Sequence, residues 1–456
     1  MTTNPTQSLE RRLGPLDAAA IIVSNVIGTG LLFAPSQVAA AVPSALPFLA
    51  AWLVGGVLAF AGAMAYAELA ALRPRAGGEY VYLKEAFGPQ AAFLTGWTSF
   101  VAGFSGAIAT SAMVLAFYLG RFVPAAGNST PFFTLPIVPG TLELSLSPQT
   151  TVAIAAIVGM SWIHLRGVGP GRLVMDVLAT LKVGAFVLFI ALGFSFGTGT
   201  AANLGQPGSA TATGWLLALI PVMFAYSGWN AATYVAEEIR NPGRNVPRAL
   251  ALGTVAVVLV HVLMNALYLY VMPVGDLGRV QGSVLDFVAE GLLGSGAGNI
   301  MGVVSIVSLL ASISAMTFAG PRVYFAMARD GLFFRRAADV HRGYKTPAAA
   351  IIAQALWSSL LVLSAKADAL LTYTGFAIVL FSGVAVVSLF VLRARQPQAE
   401  RPFRAWGYPI APGVFAVASA AILINGLVRD PGPTGAGALI ILAGIPLYFF
   451  FRKRGG

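Results

Sequence analysis

Apolar residues in this chain run on instead of alternating. Twelve stretches carry almost no charge: 16–40, 46–72, 91–120, 149–165, 172–195, 214–236, 249–272, 299–327, 348–364, 369–392, 408–428 and 436–451. A helix rises about 1.5 Å per residue, so about 20 apolar residues cross a hydrocarbon layer roughly 30 Å thick. Short polar loops rich in Gly, Pro and Arg separate the stretches. In lipid every backbone polar group needs an internal partner, and a helix supplies one within a single segment. The pattern predicts an all-α integral membrane protein with twelve transmembrane helices, numbered here as spans 1 to 12. A polar tail at 1–15 precedes them and a basic tail at 452–456 follows.

Composition agrees. Hydrophobic residues make up 57% of the chain and charged residues 10%, against about 45–50% and about 25% in soluble domains. The net charge of +11 would suit a nucleic-acid binder if it were clustered on one face. It is not. With twelve spans, 23 of the 28 Lys and Arg residues fall on the side of the termini, four on the other, and one inside a span. That bias places both termini in the cytoplasm of a cell-membrane protein. An odd number of spans would scramble it. The loop cations then face anionic lipid headgroups, and no nucleic acid is expected as a partner. No cleavable signal peptide is expected. Cys is absent, which excludes disulfides and thiol chemistry. The three His residues, His164, His261 and His341, lack metal-ligand spacing, and no cofactor is expected.

Two spans break the rules of a lipid-buried helix. Span 1 contains Ser24-Asn25-Val26-Ile27-Gly28-Thr29-Gly30-Leu31, with two glycines around a Thr near mid-membrane depth. Glycine in a helix interior costs roughly 0.5–1 kcal/mol relative to Ala. Close packing between helices would explain it, and so would a broken helix whose freed amides and carbonyls bind a ligand. Span 6 favours the break, because Phe224-Ala225-Tyr226-Ser227-Gly228-Trp229-Asn230 interrupts it in the same way. Spans 1 and 6 occupy corresponding places if 16–195 and 214–392 are two inverted repeats, with 408–451 outside them. Paired interruptions of this kind point to a substrate site.

Lys182 is the third anomaly. It lies ten residues from Arg172, hence about 15 Å deep. A Lys at the bilayer centre costs roughly 2.5–3.5 kcal/mol on insertion scales, and its stem covers only part of the distance to water. The ammonium is expected to point into the bundle, toward carbonyls or hydroxyls. There it either remains a fixed cation or gives up its proton during a cycle. Glu68 is expected to pair with loop cations. His261 and Asn265, four apart, are expected to pack within the bundle, and the serines of span 8 to bond between helices.

These residues resemble the amino acid–polyamine–organocation (APC) superfamily, in its L-type amino-acid transporter-like branch. The match rests on Ile27-Gly28-Thr29-Gly30-Leu31, on Tyr66-Ala67-Glu68-Leu69 leading to Pro74-Arg75-Ala76-Gly77-Gly78-Glu79-Tyr80-Val81-Tyr82, and on Phe224 to Asn230 continuing to Glu237-Glu238-Ile239-Arg240-Asn241-Pro242-Gly243. Arg322 and Ala328-Arg329-Asp330-Gly331 match as well. The resemblance implies a LeuT-like fold of two inverted five-helix repeats plus two peripheral helices. It implies that amides near Thr29, Gly30 and Leu31 hold a substrate carboxylate. Carbonyls around Ile27, Phe224 and Ser227 would receive its ammonium, and Gly28 and Gly228 would also belong to the substrate site. Phe224 would act as an aromatic gate, and Asn230 would line the site. Lys182, with Ser312, would stand where sodium-coupled relatives bind the ion. Because Cys is absent, no disulfide-linked subunit is expected, and the short termini suggest a stand-alone carrier.

The resemblance implies a secondary transporter that moves amino acids by alternating access, as an exchanger or a proton-coupled symporter. Spans 1, 3, 6, 8 and 10 show no carboxylate or Arg at mid-depth, so a neutral substrate side chain is expected. A polyamine, amine or cationic amino-acid carrier is the alternative within the fold. An enzyme is not expected, since no paired acids, metal cluster or Ser/His arrangement shares one depth. A receptor or channel is the remote alternative.

Overall fold

The computed structural model describes residues 9–138, 142–205, 208–364, 367–429 and 431–455. The first eight residues of the tail and the loop cation Lys366 lie outside the described residues. The chain is overwhelmingly helical. α1 (Pro15–Val26) and α2 (Thr29–Ala41) meet at a 47° bend and together make one broken span. α3 (Ala45–Leu72) follows, then a short α4 (Glu79–Phe87). α5 (Pro89–Thr98) and α6 (Phe104–Gly120) are joined by a wider turn at Ser99–Gly103 into a single crossing. α7 is Pro148–Leu165 and α8 is Val168–Phe196. α9 (Ala212–Ala225) and the short α10 (Ala231–Tyr234) form a second interrupted segment. α11 (Pro242–Val271) precedes two small helices, α12 (Val274–Leu277) and α13 (Val284–Leu293). α14 (Ala297–Arg329), α15 (Ala348–Leu363), α16 (Ala367–Arg395) and α17 (Ile410–Arg429) come next, and α18 (Pro431–Leu442) and α19 (Gly444–Gly455) end the chain. Among the described residues, eight helical segments are long and apolar enough to cross a membrane, and the bent α1–α2 pair makes a ninth. α9 and α15 are shorter apolar helices.

The chain is all-helical, as expected, with one short antiparallel strand pair between α6 and α7 among the described residues, β1 (Phe133–Val138) with β2 (Leu142–Leu146). Leu-Glu-Leu-Ser-Leu alternates with the period of a strand, which a search for long apolar runs passes over. Local signals elsewhere act as expected. Ser147 caps α7 by accepting a hydrogen bond from the Thr150 amide at 3.2 Å, and Pro148 sits at the first helical position.

The core runs the length of the bundle. α1 packs against α8, α11 and α14, and α2 packs against α9, so the two interrupted segments meet. His261 is fully buried, with its ring 5.8 Å from that of Trp52 and 4.8 Å from that of Tyr226. Asn265 donates to the His261 carbonyl at 2.8 Å. Both serve packing. His164 Nε2 lies 2.9 Å from Ser314 Oγ, joining α7 to α14.

The end of the bundle at which α1 begins is closed by ion pairs. Glu68 accepts from Arg393 at 2.9 Å and faces Arg401 at 3.1 Å. Arg322 is fully buried and forks onto Glu238 at 2.7 and 3.1 Å, while its guanidinium covers the Phe318 ring at 3.8 Å. Glu237 pairs with the more exposed Arg329 at 3.0 Å. The chain before α1 joins this cluster, since the Arg12 and Leu13 amides donate to the Glu238 carbonyl at 2.9 and 3.0 Å. Removing one partner of a buried pair costs about 3–5 kcal/mol, because a charge is left uncompensated. An exposed pair is worth about 1 kcal/mol at most. Arg322→Ala should therefore melt well below Arg329→Ala when both are heated in detergent and followed by size-exclusion chromatography. Equal melting temperatures would remove the Arg322–Glu238 pair from the stabilising set.

Candidate functional site

The helix break in the first interrupted segment is made by two residues. Ile27 adopts an extended conformation at ψ 97°, and Gly28 sits at φ −156°, ψ −137°. Ending α1 there removes the amides that would have bonded to its last carbonyls. Lys182 takes their place. It reaches from α8, is fully buried, and its Nζ donates to the Ser24 carbonyl at 3.0 Å, to the Ile27 carbonyl and to Ser312 Oγ at 3.2 Å. Ser308 Oγ donates to the Ile27 carbonyl at 3.2 Å, and Ser312 Oγ lies 2.8 Å from the Ser24 carbonyl. A helix C-terminus carries partial negative charge, so an ammonium with three oxygens around it fits there.

The other side of the break has the opposite polarity. α2 begins at Thr29, and the Leu31 amide turns back to the Gly28 carbonyl at 3.1 Å. No backbone or side-chain acceptor meets the Thr29 and Gly30 amides among the described residues. Both residues line one cavity, shared with Phe224, Ser227 and Asn230. Free amides at a helix N-terminus suit an anion such as a carboxylate.

The second interruption faces the first. Gly228 takes φ +100°, a conformation open to glycine, and a side chain there would run into Asn25 at 3.0 Å. Gly30 is needed for a different reason. A Cβ on it would lie 2.6 Å from Ala225 Cα, because the two segments cross there almost backbone to backbone. Phe224, Ser227, Gly228 and Asn230 line the same cavity as Thr29, Gly30 and Ser312. The wide turn at Ser99–Gly103 brings Ser99 and Gly103 into the wall, which Ala377 and Phe381 of α16 also line.

The structure therefore brings Thr29, Gly30, Phe224, Ser227, Gly228, Asn230 and Ser312 to one cavity. Gly28 and Leu31 shape the break without lining it. The Ile27 carbonyl is turned to Lys182, Ser308 and Ser312, and the Phe224 carbonyl accepts the Ser227 amide at 2.9 Å. Lys182 stands behind the break, outside the wall.

Sequence reasoning missed Glu79. The expectation that the site holds no carboxylate fails here, because Glu79 is buried in the cavity wall. Its Oε1 accepts from Tyr66 Oη and from Asn230 Nδ2, each at 2.6 Å. Its position in a loop between apolar runs hid it. Gly77 at φ +113° and Gly78 at φ +51° turn that loop back into the bundle, and a side chain on Gly78 would strike Tyr234 at 2.6 Å. The Gly-Gly pair just before an acid was the available signal.

Comparison with known proteins agrees with this geometry. The family model described as amino acid permease matches residues 13–451. The mouse b(0,+)-type amino acid transporter 1 is 29% identical over 452 residues, covering 98% of this chain and 89% of the relative. The rat large neutral amino acids transporter small subunit 2 is 30% identical over 453 residues, covering 97% and 81%. The mouse Asc-type amino acid transporter 1 is 29% identical over 459 residues, covering 98% and 83%. These are membrane carriers and not enzymes. A permease match over nearly the whole chain, on a bundle with two opposed helix breaks around one cavity, places this chain in the amino acid permease family.

Proposed function

We propose that this permease carries neutral amino acids across the cell membrane by alternating access, working as an exchanger. The observation that carries the reading is the pair of free amides at Thr29 and Gly30, facing the Phe224–Asn230 interruption across one cavity. An amino acid presents a carboxylate and an ammonium on the same carbon. The N-terminal end of α2 suits the carboxylate, and carbonyls of the α9–α10 interruption suit the ammonium. Phe224, on the wall beside them, is the aromatic gate over the cargo. The spans number twelve, with α7 and α15 among them, arranged as inverted repeats at 16–195 and 214–392 plus a peripheral pair at 408–451. Both termini are cytoplasmic, following the bias of the loop cations.

Exchange is favoured over proton symport by the surroundings of Lys182. Three oxygens surround its ammonium, as they would a permanent cation. The polyamine or cationic reading would draw on Glu79. That carboxylate, however, is already held by Tyr66 and Asn230.

Three outcomes follow. Proteoliposomes loaded with neutral amino acids should accumulate labelled ones, whereas empty vesicles given an acid-outside pH gradient should not. Accumulation in the empty vesicles would turn the reading to symport. Lys182→Ala should lower the initial exchange rate at least about tenfold in correctly inserted protein, because two carbonyls lose their charged donor and keep only serine hydroxyls. An unchanged rate would remove Lys182 from the mechanism. Gly30→Val should abolish exchange with insertion intact, since its side chain would force the two interrupted segments apart, and normal uptake would exclude Gly30 from the site.

A further inference from the structure

Asn230 is only 7% exposed. Its Nδ2 donates to Glu79 Oε1 at 2.6 Å and to Tyr234 Oη at 3.0 Å, which uses both amide hydrogens. A carboxamide can usually turn end for end, and its neighbours decide which end faces where. With Glu79 ionised, the choice is fixed. Glu79 Oε1 already accepts from Tyr66 Oη at 2.6 Å, so placing the Asn230 oxygen against it would oppose two acceptors. Asn230 also lines the cavity. The atom it has left to offer a cargo is Oδ1, and no donor reaches that oxygen among the described residues.

We propose that Glu79 is a positioning residue that holds the Asn230 oxygen toward the cargo, so that the site prefers neutral amino acids whose side chains donate a hydrogen bond. This rests on the reading of the cavity as the amino-acid site. Hydroxyl and carboxamide side chains supply the missing donor. An apolar side chain of the same shape leaves a buried acceptor unpaired. A site built to hydrogen-bond a substrate group discriminates strongly against the analogue that lacks it. Other polar groups of this wall include the hydroxyls of Thr95, Thr98, Ser99, Ser111 and Ser227, which can donate or accept, and the Asn25 carboxamide, which can present either end. They adapt to either kind of cargo, whereas Asn230 as held cannot.

Threonine and valine differ by a hydroxyl in place of a methyl at nearly equal volume, so they isolate the effect. The full chain is reconstituted into proteoliposomes loaded with unlabelled neutral amino acids, and kcat/KM is measured for labelled threonine and for labelled valine. Wild type should favour threonine by about tenfold or more. In Glu79→Gln the neighbour can donate or accept, Asn230 can turn over, and the ratio should fall below about threefold. Tyr234→Phe removes the other acceptor and should lower the ratio as well, which keeps the test intact if Glu79→Gln fails to fold. A loss of folded protein changes uptake of both cargoes and leaves the ratio untouched. A wild-type ratio near one would overturn the inference while the carrier reading stands. A full ratio kept in the folded variants would overturn the positioning role. Uptake of no amino acid at all would overturn both readings.

Discussion

A single buried ammonium makes the interrupted helix tenable. Stopping α1 at Val26 leaves carbonyls without amides deep in an apolar bundle, where an unpaired polar group costs several kcal/mol. Lys182 from α8 and the Ser308 and Ser312 hydroxyls of α14 meet the Ser24 and Ile27 carbonyls. Each solves the other's problem, since a Lys at that depth needs oxygens and the broken helix end needs donors. Once α1 can stop, α2 can start again at an angle, with its first amides turned into the cavity. The cation behind the break and the free amides in front of it have the same cause.

The close crossing of the two interruptions depends on that arrangement. Gly30 against Ala225 lets the α2 and α9 backbones approach within reach of one small ligand. Gly228 supplies the positive φ that lets the second interruption bend around Asn25. Both glycines raise the cost of a regular helix and lower that of a break. The result is a polar site in a low-dielectric interior, where oriented backbone dipoles act strongly.

Much of this was legible in the sequence, for physical reasons. Lipid forces apolar runs of a fixed length, so the helices announce themselves. A glycine pair or a Lys inside such a run violates a strong rule and stands out. Glu79 violated nothing, because in a loop an acid is ordinary. Only the turn made by Gly77 and Gly78, which depends on what the loop packs against, puts it into the cavity wall. The β1–β2 hairpin was missed for a related reason, since its short alternation is faint beside runs of 20 apolar residues. The wide turn at Ser99–Gly103 left no signal, because Ser-Phe-Val-Ala-Gly reads as ordinary helix.

The ion-paired end adds a constraint on how the proposed carrier moves. The Arg12 and Leu13 amides bond to the Glu238 carbonyl, and the Arg240 amide bonds back to the Leu13 carbonyl. The start of the first interrupted segment is thereby laced to the end of the second by backbone hydrogen bonds. Arg322 holds the same Glu238 to α14 through its side chain. Opening this end need not separate α1 from α10. The two can swing as one unit if the Arg322–Glu238 and Arg329–Glu237 pairs release, a step in which charges leave a buried site for water and recover their hydration. Lys182 lies near the bend and ties α1 to α8 and α14. A hinge there and a separable latch at the end are what alternating access requires of a broken helix.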